Sequence, residues 1–334
     1  MTGSDYIPRL RSELLRAGAA EQARWRPARA ARALRPLAAA AASAVVVVAV
    51  VLAVPDRRSD ETAVEQPSGA LQLGYRLPGA GAETTAQAAQ VMRKRLAAAG
   101  LDGAGVTVSS SGGLTITAPA GARGDVAALS KRGRLAVYDW EASVLGPRGR
   151  PAPSSESVTG GQDAGRAAAL TSAEAEARVA ARAGAHRVRA LSVAPEGWFV
   201  LGGAPALTNT DLERAEPAVD EQSQDPIVAI ELTAPGKTAF STLTRELAQR
   251  GSARAATGVD SMEAWQHFAV VLDDQIVSMP FINFRQAPDG IDGSAGMHIA
   301  GDLTPQTARQ IAALLSAGPL PADLVLESDD VTGG

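Results

Sequence analysis

The chain has 334 residues, of which 46% are hydrophobic and only 4% aromatic, and a net charge of -4. That length holds one or two domains with a real core, and the charge gives no bias toward a polyanion, which excludes nucleic acid as the expected partner. Cysteine is absent, removing disulfides, thiolate metal sites and a cysteine nucleophile. The three histidines, His186, His267 and His298, lack HxxxH or HExxH spacing, so no zinc site is expected.

Residues 1–36 form a basic segment containing Arg9, Arg11, Arg16, Arg24, Arg26, Arg29, Arg32 and Arg35. Within it Ile7, Leu10 and Leu14 share one helical face at 5–17. That pattern reads as a basic amphipathic stretch on the lipid bilayer, with a cytoplasmic partner site as the alternative. Residues 37–54, LAAAAASAVVVVAVVLAV, carry Ser43 as their single polar side chain. As a helix they reach about 27 Å, close to the ~30 Å hydrocarbon layer. A buried helix of a soluble protein seldom runs this long without charge, and Arg32, Arg35, Arg57 and Arg58 bracket this one. A cleaved signal peptide has a shorter leader and a small-residue cleavage site. A single transmembrane helix is therefore predicted, with the N-terminus cytoplasmic and the rest extracytoplasmic by the arginine bias.

Residues 55–70 are polar, with Pro67 near the end, and read as a linker. After them the spacing predicts a strand at 71–77, a helix at 83–99 and strands at 106–109 and 114–117. A short helix at 123–131 and a strand at 134–140 follow. This β-α-β-β-α-β order is that of a ferredoxin-like sandwich. The Gly/Pro/Ser-rich stretch 146–163 reads as a crossover. Beyond it come a helix at 173–182, a hairpin at 188–193 and 198–201, a short helix at 211–215 and a strand at 227–232. A long helix at 235–250 turns Phe240, Leu243 and Leu247 to one side, and 251–263 reads as a loop. Strands 267–272 and 275–281 flank an Asp273-Asp274 turn. A Gly/Asp-rich loop and a strand at 297–300 precede a helix capped by Thr304, opened by Pro305 and ended by Gly318-Pro319. A last strand covers 323–326. The fold class expected is α+β: a base of 71–145 and 304–327, a head of 146–303 inserted into it, and a tail of 328–334.

Four motifs carry a resemblance. HFAVVLDDQIVSMPFIN at 267–283 and IAGDLTPQTARQIAALLSAGPLPADLVL at 299–326 resemble the extracytoplasmic domain of SecD, a membrane protein of the Sec export pathway. ALTNTDLERAEPAVDEQSQDPIVAIELTAPGKTAF at 206–240 is similar to the entry into that family's head, and QVMRKRLAAAGL at 90–101 to the helix opening its base. The motifs occur in the family's order. There are departures. Arg76 stands where SecD has an acidic residue in its Gly-Leu-Asp-Leu segment, Leu303 replaces a Phe, and Pro319 replaces an Ala. The multi-helix membrane half of SecD has no counterpart here. With no ionisable residue in 37–54, a SecD-like domain on a simple anchor is expected, without a route to a proton gradient.

The resemblance implies a non-catalytic role with unfolded or exported polypeptide and Sec translocon components as partners. A ligand-binding, sensor or scaffold module reusing the fold is the alternative. Met279, Phe281 and Phe284, on or after the hairpin, are the candidate polypeptide-binding side chains, beside a free strand edge. The competing reading makes them core. No catalytic, cofactor or metal residues are assigned. Asp273 and Asp274 read as turn residues rather than a carboxylate pair. The stretch with Asp289, Asp292 and Asp302 lacks EF-hand spacing, and no G-x-S-x-G elbow supports a serine nucleophile.

Overall fold

The computed structural model describes residues 49–50, 69–110, 112–146, 149–151, 170–190, 197–221, 223–260, 264–301 and 303–332. The basic segment 1–36, the linker up to residue 68 and most of the crossover 146–163 lie outside them. So does the expected span 37–54, except for Ala49–Val50 (β1). These two residues are extended, parallel to a later strand with Ala49 opposite Ala300 and Val50 opposite Gly301. A short Val/Ala run suits a strand as well as a helix, and periodicity alone does not separate the two. Among the described residues, no helix is long and apolar enough to cross a membrane.

The base opens with β2 (Ala70–Arg76), α1 (Ala82–Ala98), β3 (Gly105–Val108), β4 (Leu114–Pro119) and α2 (Arg123–Leu129). Alternate residues of the central strands, Leu71, Leu73 and Tyr75 with Leu114, Ile116 and Ala118, turn to one buried face. Ala88, Ala89, Met92 and Leu96 of α1 cover that face at helical spacing.

The insert then runs through β5 (Leu135–Asp139), α3 (Trp140–Ser143), α4 (Ser172–Ala180), β6 (His186–Ala190), β7 (Gly197–Leu201), β8 (Leu207–Thr208), β9 (Leu212–Val219) and β10 (Pro226–Leu232). It continues with α5 (Ala234–Ala256), β11 (Gln266–Leu272), β12 (Gln275–Ser278), β13 (Phe281–Ile282) and β14 (Met297–Gly301). Then α6 (Pro305–Ala317) and β15 (Val325–Thr332) return the chain to the base.

The base sheet has the order β15-β2-β4-β3, every pairing antiparallel. Numbered along the base this is 4-1-3-2, with all of the insert lying between the third and fourth strands. The fourth strand differs from the one expected. Residues 134–140 were read as the base's last strand, yet β5 pairs with β11 and β8 in the head. Its alternation decides this. Leu135 and Val137 enter one head cluster and Tyr138 enters another, so both faces of β5 are covered. The base is closed instead by β15, which reaches Thr332, beyond the strand expected at 323–326 and into the expected tail.

The head has two sheets. One runs β7-β6-β12-β11-β5-β8, with β13 also on β11. The other joins β9, β10 and β14. Along β11, Phe268, Val270 and Leu272 join the main head core while Ala269 and Val271 join the cluster behind the sheet. Thr233 caps α5 by accepting from the Gly236 N–H at 3.2 Å. This helix runs six residues past its expected end, to Ala256. At Gly251 a Cβ would lie 2.9 Å from the Phe284 ring and 3.1 Å from the Ala264 carbonyl, so close packing there calls for glycine.

Helix α6 belongs to both halves. Ala308, Ile311, Ala312 and Leu315 lie in the head core, Ala313 and Leu314 in the base core. Each large side chain so buried contributes roughly 2 kcal/mol.

Candidate functional site

Asp273 and Asp274 have φ of 50° and 63°, the left-handed pair of a two-residue hairpin turn that aspartate tolerates better than most residues. The hairpin they close lies inside its sheet. On one side β12 runs parallel to β6, with Gln275 opposite Arg189; on the other β11 pairs β5. The free edge expected beside the hairpin is therefore already used.

The three candidate side chains separate. Phe284 is 8% exposed and part of the main core, with its ring against Gly251, which corrects its assignment as a contact residue. Met279 is half-buried against the cluster behind the sheet. Phe281 is half-buried and stacks flat on Trp265, centroids 4.3 Å apart and planes 2° apart. Strict alternation would place Val277 and Met279 on one face, yet Val277 points into the main core. The reason is local. A register shift at Val270/Val271 and the loss of strand geometry after Ser278 break the period of two.

Trp265 is the residue the sequence reading missed. In a chain with four tryptophans, its place two positions before His267 at the mouth of the hairpin was the available signal. Beneath the Trp265–Phe281 shelf lies a polar layer. His267 sits edge-on to Phe281 at 6.3 Å, and its Nδ1 is 2.8 Å from the carboxylate of Glu141. That buried carboxylate also accepts the His267 backbone N–H at 2.9 Å. Arg250 lies 2.7 Å from Asp139, whose side chain caps α3 through the Ala142 N–H. Buried Gln266 accepts from Arg250 and donates to the Ala264 carbonyl. The layer holds the shelf in place, and the shelf offers a flat apolar face suited to side chains and peptide planes.

Other strand edges are met in different ways. Arg93 donates to the Val106 carbonyl at the edge of β3. Leu170 and Leu145 bond the outer edge of β7. On β9 the Ala215 N–H donates to the Ser316 hydroxyl, which donates back to the Ala215 carbonyl. Two residues on, Pro217 has no N–H to offer. Among the described residues nothing pairs with the outer edge of β15, where Glu327, Asp329 and Asp330 place charge against strand addition.

A cleft of about 290 Å³ opens where Asn209 to Arg214 of the head face Leu315 to Pro319 at the end of α6. None of Met279, Phe281 and Phe284 lines it. The carboxylate of Asp273 accepts the backbone N–H groups of Gly133 and Arg134. Asp292 caps the turn at Gly293–Ala295 through the Ser294 N–H, which holds its carboxyl below the usual range. Among the described residues, no three His, Asp or Glu side chains gather as metal ligands do. Asp302 lies outside those residues.

Fold and shelf together define a two-part α+β protein, a small base carrying a larger, β-rich head. Residues 187–322 match the family model described as SecDF, P1 head subdomain, and the chain carries a SecD-type head domain. Over 136 residues it is 29% identical to the protein translocase subunit SecD of Aquifex aeolicus, aligning 41% of this chain with 22% of that protein. Over 135 residues it is 32% identical to the SecD of Streptomyces coelicolor, 40% of this chain against 20% of that one. The chain thus spans about a fifth of the length of these curated relatives. Among solved structures, SecDF in its super-membrane-facing form aligns over 80% of this chain and 30% of its own, at 18% identity and a TM-score of 0.49. A structure described as a membrane component SecDF that enhances protein export aligns over 78% of this chain and 98% of its own, at 17% identity and 0.45.

Proposed function

We propose that this protein works in protein export on the outer side of a bacterial membrane, as a non-catalytic domain that contacts exported polypeptide. The observation that carries the reading is the match of residues 187–322 to the head subdomain of SecDF. Anchorage through the apolar run 37–54 and contact with Sec translocon components belong to the same proposal. The anchor is supported by the length of that run and its flanking arginines. The contact surface is the half-buried Trp265–Phe281 shelf, with Met279, also half-buried, two positions before Phe281 in the chain.

The test is a titration of the full chain in lipid nanodiscs with a reduced, unfolded polypeptide, read by fluorescence anisotropy. Saturable binding near ~1 μM, weakened roughly tenfold by Phe281→Ala and left alone by Thr107→Ala on the base, is the expected result. No binding at ~50 μM would remove the polypeptide reading and leave a sensor or scaffold in its place.

A further inference from the structure

The smaller head sheet ends at β14, and that edge is met unlike the others. On its inner side β14 pairs β10 through Met297, His298 and Ile299. On its outer side Ala300 and Gly301 pair β1 in parallel, with Ala49 and Val50 as partners. Among the described residues no strand pairs Met297 to Ile299 on that outer side. β1 also lies beside β12 of the larger head sheet.

The sequence of β14 carries none of the guards found elsewhere. Pro217, Arg93 and the acidic residues of β15 blunt other edges, whereas MHIAG holds no proline, lysine, arginine, aspartate or glutamate. Met297, Ile299 and Ala300 are buried, and Gly301 has no side chain, so a neighbouring backbone can come close. An unguarded edge of this kind is a template for strand addition. The occupant has matching chemistry. Seven of the eleven residues 44–54 are valine, whose branched side chains favour a strand over a helix in water. In a bilayer the preference reverses, because a lone spanning segment must satisfy its own backbone and only a helix does so. The backbone groups of Ala49 and Val50 therefore serve either β14 or a membrane helix, never both at once.

We propose that the outer edge of β14 is an acceptor site for an extended, valine-rich segment. Ala49–Val50 fill it outside a bilayer, and entry of 37–54 into a bilayer bares it. The second half rests on the anchorage proposed above; the first half does not. The site is separate from the Trp265–Phe281 shelf.

The chain has no native cysteine, so Ala49→Cys with Ala300→Cys puts one thiol on each of the two paired strands. Directly opposed residues of neighbouring strands are about 5 Å apart, within disulfide range. The full chain is made by cell-free synthesis, with and without vesicles of phosphatidylethanolamine and phosphatidylglycerol, and then oxidised. An intramolecular disulfide, read as faster migration on a non-reducing gel, is expected in the lipid-free chain. It should be at least tenfold rarer in chain that floats with the vesicles. The control pair, Ala49→Cys with Val108→Cys on the exposed end of β3, stays reduced in both. In the parent chain, amide exchange at Ala300 and Gly301 should be at least tenfold faster after flotation. A lipid-free disulfide no more frequent than in the control would overturn the acceptor site, as would unprotected Ala300 and Gly301 amides in the lipid-free parent. A disulfide equally frequent in floated chain would refute the competition with the bilayer. Chain that does not float and is crosslinked in both preparations removes the anchor and keeps the acceptor site.

Discussion

Burial holds the imidazoles of His186 and His298 below the ordinary histidine range, outweighing the opposing pull of Asp274 and Asp220. The Nε2 atoms of both rings are buried without a partner. A depressed base pKa means that the unfolded chain takes up the proton first. These rings therefore favour the fold fully above the unfolded value of about 6.5, and that stability is lost as pH falls toward the folded pKa. The expected outcome is a melting temperature that declines from pH 7 to pH 5, with a shallower slope in His298→Gln. An equal slope in the variant would show that His298 does not contribute. The same contest between burial and polarity separates Phe281 from Phe284. Three positions apart, one lies on the Trp265 face and the other fills the space above Gly251. Hydrophobicity marks both residues. Only the neighbour that each ring meets tells them apart.

At the scale of elements, the strand that sequence patterning missed is instructive. β9, LERAEPAV, buries only Ala215, contains a proline, and was expected to begin as a helix at 211–215. Only Asn209–Asp211 forms a helical turn, with the Asp211 carboxylate on the Thr208 N–H. An edge strand buries one side of one face, so its sequence need show little alternation. Its outer edge is blunted by Pro217 and by the Ser316 hydroxyl, which serves both backbone groups of Ala215. The combined variant Pro217→Val and Ser316→Ala should expose a pairing edge. We expect concentration-dependent association in analytical ultracentrifugation and a stability loss of roughly 1–3 kcal/mol from the unpaired Ala215 groups. A monomer as stable as the parent would show that the edge needs no such guard. By contrast, the cap of α6 was legible in advance. Thr304 accepts a backbone N–H at the helix start, with Pro305 in the first turn.

At the scale of the whole molecule, β15 closes the base with strand pairings from Val325↔Arg76 to Thr332↔Ala70. Arg76–Glu327 and Arg123–Asp329 add ion pairs at the surface, of little weight in water. Ending the chain after Leu324 would leave β2 with a bare edge. The expected cost is roughly 2–4 kcal/mol, about 1–2 M in the urea midpoint. Because α6 serves both cores, tryptophan fluorescence, to which the head contributes Trp140, Trp198 and Trp265 of the chain's four, should change together with far-UV circular dichroism in one transition. A midpoint unchanged by the truncation would show that β15 is an appendage rather than the fourth strand.

Periodicity, caps and turn residues act over a few positions, and they placed most helices and the β11–β12 hairpin from the sequence alone. They also separated a mixed α+β chain from other classes, and four ordered motifs pointed to the family of the head. The partner of each strand was not local. Residues 134–140 read equally well as the end of the base or the start of the head. The choice fell to the head because both faces of β5 could be buried there, while β15, over 180 residues away, took the base edge. Arg95 looked like one more helical arginine until the carbonyls of Leu129, Arg132 and Gly318 converged on it. Such sites depend on segments distant in the chain meeting at ångström range, and only the folded chain brings them together.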